Sequence, residues 1–87
     1  MSRFFFHVVN GDFIPDHEGM ECKDAAEVKA FAVELAGAML KDQGLTLWQT
    51  GRYDMFVCDE NNKTHLRLSF HAEDLKGDLS QGPEVAQ

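Results

Sequence analysis

The sequence predicts an α+β domain: a small antiparallel sheet, of three long strands plus a short edge strand, with one long helix packed on one face, in the order β-β-α-β-β. Three observations predict it. They are an aromatic and β-branched run near the start, a helical repeat of apolar residues in the middle, and two alternating runs around a polar turn. A single amphipathic helix must bury its apolar face against one side of such a sheet. We expect the first long strand to pair with the last.

The first strand is predicted over residues 3–9, where aromatic and β-branched residues dominate a run too short for a helix. Asn10-Gly11 follows and is a strong tight-turn signal, because both residues tolerate positive φ. Residues 13–16 are therefore a candidate return strand. Pro15 restricts this strand to an edge, since proline donates no backbone hydrogen bond. Residues 16–19 are predicted to form another turn.

The helix is predicted to begin after Asp24, whose side chain can accept backbone N–H bonds. Glu27 stands three residues on, where a capping-box acid belongs. We expect the helix to run to about Asp42, with Gly44 as its C-terminal stop. Its core face consists of apolar residues that recur at helical spacing, namely Val28, Phe31, Ala32, Leu35, Ala36 and Met39.

Residues 44–51 are predicted as a loop carrying Trp48. Two runs show the two-residue period of a strand, and a polar turn separates them. In the first, Tyr53, Met55 and Val57 alternate with Asp54, Phe56 and Cys58; in the second, Leu66, Leu68 and Phe70 alternate with His65, Arg67 and Ser69. This pattern is typical of a β-hairpin with one buried face. The single domain is expected to end at residue 76, and the polar residues 77–87 are predicted to form a mobile tail.

Composition excludes several classes of protein. The chain has 87 residues, which is one domain, and a net charge of −7, which opposes binding of nucleic acid. No apolar run approaches the roughly 20 residues of a membrane span. No secretory signal is visible, so we expect a cytoplasmic protein whose two cysteines, Cys22 and Cys58, are free thiols.

The chain also resembles a known family. The carrying residues are 3–8 (RFFFHV), Asn10-Gly11, Asp16 and Glu18-Gly19 near the start, and residues 57–61 with 66–70 near the end. They are similar to short, uncharacterised alphaproteobacterial proteins, a family of unknown function, whose members open with a variant of RYFFHV. The departures are Phe4 in place of tyrosine and Asn62 in place of glycine. The resemblance spans about residues 3–75. It implies a bacterial, cytoplasmic setting and brings no activity, cofactor or catalytic residue.

The first candidate interaction surface is the sheet face turned away from the helix. If Phe4, Phe6 and Val8 face the helix, alternation places the intervening residues on the other side. That face is expected to hold two histidines, one arginine and two phenylalanines, the kind of residues that anchor partners. The alternative is an ordinary half-solvated sheet face. The candidate residues are Phe5, His7, Phe56, His65 and Arg67.

The second candidate surface is a small apolar arc on the helix, beside its core face. It would suit close packing against another subunit. The alternative is that alanine was selected there for helix propensity. The arc comprises Ala26, Ala30, Val33, Gly37 and Leu40.

The sequence gives little support for a catalytic or metal-binding function. The histidines and cysteines show no recognised metal-ligand spacing, so we assign no metal, cofactor or catalytic residue. The favoured function is a non-catalytic interaction and dimerisation module whose partner is itself or an unidentified protein, with no nucleic acid and no membrane. One alternative is an antitoxin-like or stress-response partner of another protein. The other is a small-ligand binder or weak enzyme that uses Cys58 and His65 across the hairpin.

Overall fold

The computed structural model of the protein describes residues 1–76; the predicted tail, residues 77–87, lies outside the described residues. It confirms the α+β class, with an antiparallel sheet and one long helix in the predicted succession. A fifth strand and a short second helix are added to the prediction. The elements are β1 (Ser2–Asn10), β2 (Asp12–Ile14), β3 (Met20–Cys22), α1 (Ala25–Asp42), α2 (Gly44–Thr50), β4 (Arg52–Cys58) and β5 (Thr64–His71).

Two short strands pair with β1 and form one edge of the sheet. The Asn10-Gly11 turn returns the chain as β2, with Gly11 at a φ of +82° and Val8 opposite Ile14. β3, which the sequence did not predict, pairs antiparallel with the other end of β1, with Phe4 opposite Met20. Together β2 and β3 form an interrupted edge strand.

The strand order β2-β1-β4-β5 corrects one expectation. β1 pairs antiparallel with β4, the first strand of the late hairpin, and not with the last strand. Burial explains the choice. β4 is buried along almost its whole length, whereas β5 alternates between exposed and half-buried residues. A strand with nearly continuous apolar character belongs in the interior of a sheet, and an alternating strand tolerates an edge.

The helix α1 begins as predicted. The Glu27 N–H donates to Asp24 Oδ1 over 2.9 Å, and the Glu27 carboxylate accepts from the Lys23 N–H over 2.7 Å. It also ends at Asp42 as predicted, but not at a glycine stop. The Gln43 N–H closes the last turn on the Met39 carbonyl, and Gly44 does not stop the helix but starts α2.

The segment predicted as a loop around Trp48 is therefore helical. α2 ends at Gly51, which has a φ of +80° that glycine adopts at little cost. The Thr50 hydroxyl donates to Asn10 Oδ1 over 2.8 Å and ties α2 to the end of β1. Leu47 packs against the core, whereas Leu45 and Trp48 are exposed.

The core lies between α1 and one face of the sheet. Val28, Ala32 and Ala36 are buried, and the remaining predicted core-face residues of α1 pack beside them half-buried. Alanine at two central helix positions lets α1 approach the sheet closely. The sheet contributes Phe6, Val8, Tyr53, Met55 and Val57. No helix within residues 1–76 is both long and apolar enough to cross a bilayer.

Candidate functional site

The outer face of the sheet, opposite the helices, brings together four of the five predicted surface residues. His7 lies opposite Phe56, and Phe56 lies opposite Arg67, so the three form one row across β1, β4 and β5. The ring of Phe5 lies parallel to that of His7, with centroids 6.4 Å apart. Phe5, His7 and Phe56 are half-buried and Arg67 is exposed.

Phe13 also belongs to this face, although the sequence analysis did not select it. It lies opposite Val9 and its ring centroid is 5.8 Å from that of His7. It is 62% exposed, one of the largest apolar side chains that the fold leaves in solvent. The Asn10-Gly11 turn was the available signal, because a hairpin that tight places Phe13 on the same side as Val9.

His65 was predicted on the outer face, and this is wrong. Cys58 pairs with Thr64 and Val57 pairs with Leu66, so His65 is the extra residue of a β-bulge. Its ring packs edge-on against Phe4, with centroids 5.5 Å apart, and its Nε2 lies 2.8 Å from Asp59 Oδ2. Phe4 packs against the core on the helix side. The bulge therefore redirects His65 away from His7 and Phe56.

The ring of His7 is held in place by the turn that follows β2. The backbone N–H of Asp16 donates to His7 Nδ1 over 3.0 Å, so the ring proton of the neutral side chain lies on Nε2. The Asp16 carboxylate in turn accepts from the N–H of Phe6, Glu18 and Gly19, at 3.0 to 3.1 Å. These hydrogen bonds attach the turn to β1 and hold the His7 ring in position on the outer face.

Two carboxylates near the outer face are held in the charged form. Burial alone would raise the pKa of Asp16, but the three backbone N–H groups outweigh it and lower that pKa below its ordinary value. The pKa of Asp54 is also lowered, chiefly by its hydrogen bond with Arg52 and also by the Ser69 hydroxyl and the charge of Arg67. Asp54 Oδ2 lies 2.9 Å from Arg52 Nε.

A third carboxylate, Asp59, closes the β4–β5 turn. Its pKa is lowered, first by the hydrogen bond with His65 and then by the backbone N–H groups of Lys63 and Asn61. Asn62 adopts a φ of +64° in this turn, a conformation that asparagine tolerates better than most residues. The carboxylate therefore organises the turn.

These three lowered pKa values predict a loss of stability in acid. A carboxyl whose folded pKa lies below its unfolded value stabilises the fold in full above the unfolded pKa, and that contribution is lost as pH falls through the folded pKa. The free energy of unfolding should therefore fall steeply below the ordinary value of 3.8. Denaturant unfolding between about pH 5 and pH 3 measures the slope. Asp16→Asn should flatten it, and an unchanged slope contradicts the assignment. Exposed Asp42→Asn, which removes a carboxylate but no turn, is the control.

The two cysteines are free and buried. Burial, with help from the charges of Glu27 and Asp24, raises the pKa of Cys22 and so disfavours its reactive thiolate. The Cys58 sulfur lies 3.5 Å from the Thr64 hydroxyl. Since His65 is hydrogen-bonded to Asp59, the thiol and the imidazole that a Cys–His pair would use have different partners. Within residues 1–76, no three His, Cys, Asp or Glu side chains gather as metal ligands do.

The helix arc predicted as a second interface is on the surface of α1. Ala26, Ala30 and Gly37 are exposed, Val33 is 61% exposed and Leu40 is half-buried. Leu40 also packs against the core, whereas the other four residues of the arc lie outside the core cluster. Its role in a contact stays a prediction.

Within residues 1–76, β5 is the long, uninterrupted edge of the sheet, opposite the edge formed by β2 and β3. Among residues 1–76, β5 pairs only with β4, so one side of an eight-residue strand keeps its backbone N–H and C=O groups without strand partners. Leu66, Leu68 and Phe70 point to the helix side and are half-buried there. Unpaired edges of this kind readily accept another strand.

Comparisons with known proteins place the chain in a family without assigning it an activity. No curated protein and no solved structure matches it. A family model described as "Domain of unknown function (DUF6894)" matches residues 3–71, from the first strand to the end of the last. Because this match covers most of the 87 residues, the chain belongs to the DUF6894 family, a domain of unknown function.

Proposed function

We propose that the protein is a non-catalytic interaction module that acts as a homodimer. The observation that carries this proposal is β5, an eight-residue edge strand with a half-buried apolar stripe and, among residues 1–76, one side without a strand partner. Small domains often gain part of their stability from self-association, because a short chain buries a smaller fraction of its surface. A second copy is the partner that is always present.

A binding role, and not a catalytic one, also suits the polar groups. The side chains that general acid–base or nucleophilic chemistry would use are engaged in turns and strand contacts. His7 accepts from the Asp16 N–H, His65 contacts Asp59, and the Cys58 sulfur contacts Thr64. Catalytic groups need to be oriented toward a substrate in a cleft, and these are oriented toward the fold itself.

The outer face would then serve as the surface that the dimer presents. Phe5, Phe13, Phe56 and Arg67 are aromatic and arginine side chains, the types that dominate the energetics of protein interfaces. We place the protein in the bacterial cytoplasm, on the resemblance of residues 3–75 and on two free thiols that suit a reducing compartment.

Sedimentation velocity and light scattering across a concentration series test the homodimer. We expect twice the protomer mass of 9.8 kDa at high concentration. A monomer at every concentration contradicts the proposal. Val33→Glu separates the two kinds of contact: it should leave the dimer intact if the sheet forms the interface and dissociate it if the α1 arc does.

A further inference from the structure

We propose that two copies join through β5, antiparallel and edge to edge, about a two-fold axis that passes beside Leu68 and perpendicular to the sheet. The two five-stranded sheets then become one continuous sheet with the helices of both copies on the same side. This inference rests on the homodimer proposed above and adds its surface and its register.

On the helix side, β5 carries half-buried apolar side chains that a further strand would cover. α1 makes its main strand contacts with β3 and β4, so the apolar stripe of β5 lies at the margin of the core. Leu68 lies opposite the fully buried Met55, and Phe70 packs edge-on against Tyr53 with centroids 5.9 Å apart. A second copy would continue this apolar layer past Leu68.

Symmetry limits the register to a few choices. An axis perpendicular to the sheet keeps each face on its own side, so paired residues must have the same parity in the sequence. The axis must then pass beside one residue near the middle of β5. The choices are Arg67, Leu68 and Ser69.

Charge repulsion and the number of paired residues both favour an axis beside Leu68. An axis at Arg67 would place two arginines directly opposite each other, which is unfavourable. An axis at Ser69 would place Arg67 opposite the partner's His71 and shorten the overlap. With the axis at Leu68, the two Leu68 side chains meet, and Leu66 meets the partner's Phe70.

The same register gives Arg67 a complementary environment on the outer face. It lies opposite the partner's Ser69, and within one protomer Ser69 donates to Asp54 Oδ1. Adjacent strands are about 4.8 Å apart, so the partner's Asp54, two strands away, is about 10 Å from Arg67 between backbones, a distance that the two side chains together can span. Each Arg67 thus approaches the partner's Asp54, twice across the interface. The outer faces of both copies lie side by side on one surface.

Two single-cysteine additions test the register. In a dimer centred on Leu68, paired Cβ atoms are roughly 5 Å apart, so Leu68→Cys should be bridged by a short thiol crosslinker. Leu66→Cys should not, because the two copies of residue 66 are displaced along the strands by four residues, roughly 13 Å. The unmodified chain measures the background from Cys22 and Cys58, which are only 2% and 6% exposed.

Charge at the axis gives a second measurement. Leu68→Lys should weaken the dimer about tenfold or more, because two lysines would face each other at the edge. Leu45→Lys, on the exposed side of α2, should leave it unchanged. Circular dichroism verifies that each variant is folded, and the crosslinking result stands independently of Leu68→Lys.

The outcomes separate the two proposals. A monomer of the unmodified chain at every concentration removes both. A dimer that is bridged equally at Leu66→Cys, or that Phe56→Glu or Val33→Glu dissociates while Leu68→Lys does not, overturns the β5 interface and leaves the homodimer standing. A dimer bridged at Leu68→Cys alone and weakened by Leu68→Lys supports both.

Discussion

Gly19→Ala should lower the free energy of unfolding by about 3 kcal/mol or more. Gly19 has a φ of +73°, which an alanine adopts only at a cost of roughly 1–2 kcal/mol. The added Cβ would also lie 2.8 Å from the Phe4 carbonyl oxygen and 2.9 Å from Phe5 Cε2. A backbone carbonyl of a paired strand cannot move aside as a flexible side chain can. The turn must therefore distort, and the Asp16 hydrogen bonds distort with it.

Gly37→Ala is the matched control for this prediction. Gly37 lies within α1, and a Cβ there would meet nothing within 4 Å. Replacing a glycine by alanine inside an exposed helix stabilises by about 0.5–1 kcal/mol. Urea unfolding of both variants measures the difference. Equal midpoints for Gly19→Ala and the parent chain would show that the turn is not packed against β1 as described.

The turn around Gly19 joins residues that lie apart in the sequence. Arg3 donates from Nη1 to the Glu18 carbonyl over 2.7 Å, and His7 accepts from the N–H of Asp16. Asp16 in turn accepts from the N–H of Gly19. These residues come from three separate places near the start of the chain and meet in one hydrogen-bonded cluster. Their arrangement is architectural: it attaches the turn to β1.

The elements with strong local signals were predictable from the sequence. Asp24 and Glu27 cap α1 as the spacing predicted, and the helix ends at Asp42 as expected. The hairpin of β4 and β5 follows directly from alternating side chains around a polar turn. In each case a periodic pattern extends over six residues or more, so the local preference and the tertiary packing agree.

Elements that depend on distant partners were not predictable. β3 has three residues, and only its pairing with β1 makes it a strand. α2 is bracketed by Gly44 and Gly51, which together favoured a loop, and it is helical because Leu47 packs against the core while Thr50 bonds to Asn10. Seven residues are too few for a helix to form on propensity alone.

Four of the five candidate surface residues lie on one face of the sheet as alternation predicted, and one extra residue in β5 displaces the fifth. That this face binds a partner stays a prediction. Strict alternation along β5 assigned His65 to the outer face, and a single-residue bulge reverses that assignment. No residue type in Thr64-His65-Leu66 predicts a bulge. The free edge of β5 was missed for a related reason, since the sequence does not state which strand of the hairpin pairs with β1. The near-continuous apolar run of β4 was the signal that could have decided it.

Met55→Ala should be strongly destabilising, with a loss of about 2–5 kcal/mol in the free energy of unfolding. Met55 is fully buried at the centre of β4, opposite Val8 on one side and Leu68 on the other. The same core cluster contains the fully buried Ala32 and Ala36 of α1, which are small. Removal of the thioether chain therefore leaves a cavity that alanines cannot fill. Against a typical total of about 5–15 kcal/mol, much of the stability is lost.

Two variants distinguish this cavity from a general effect of mutation. Met55→Leu nearly conserves volume and should cost less than about 1.5 kcal/mol, and Val33→Ala on the exposed arc should change the free energy by no more than about 0.5 kcal/mol. Urea unfolding should be followed at two protein concentrations, because a dimer adds a concentration-dependent contribution to apparent stability. If Met55→Ala proves no worse than Met55→Leu, the core does not close around Met55. If the dependence on concentration weakens in Met55→Ala, the loss has also loosened β5, because Leu68 packs on that side chain and would stand at the proposed two-fold axis.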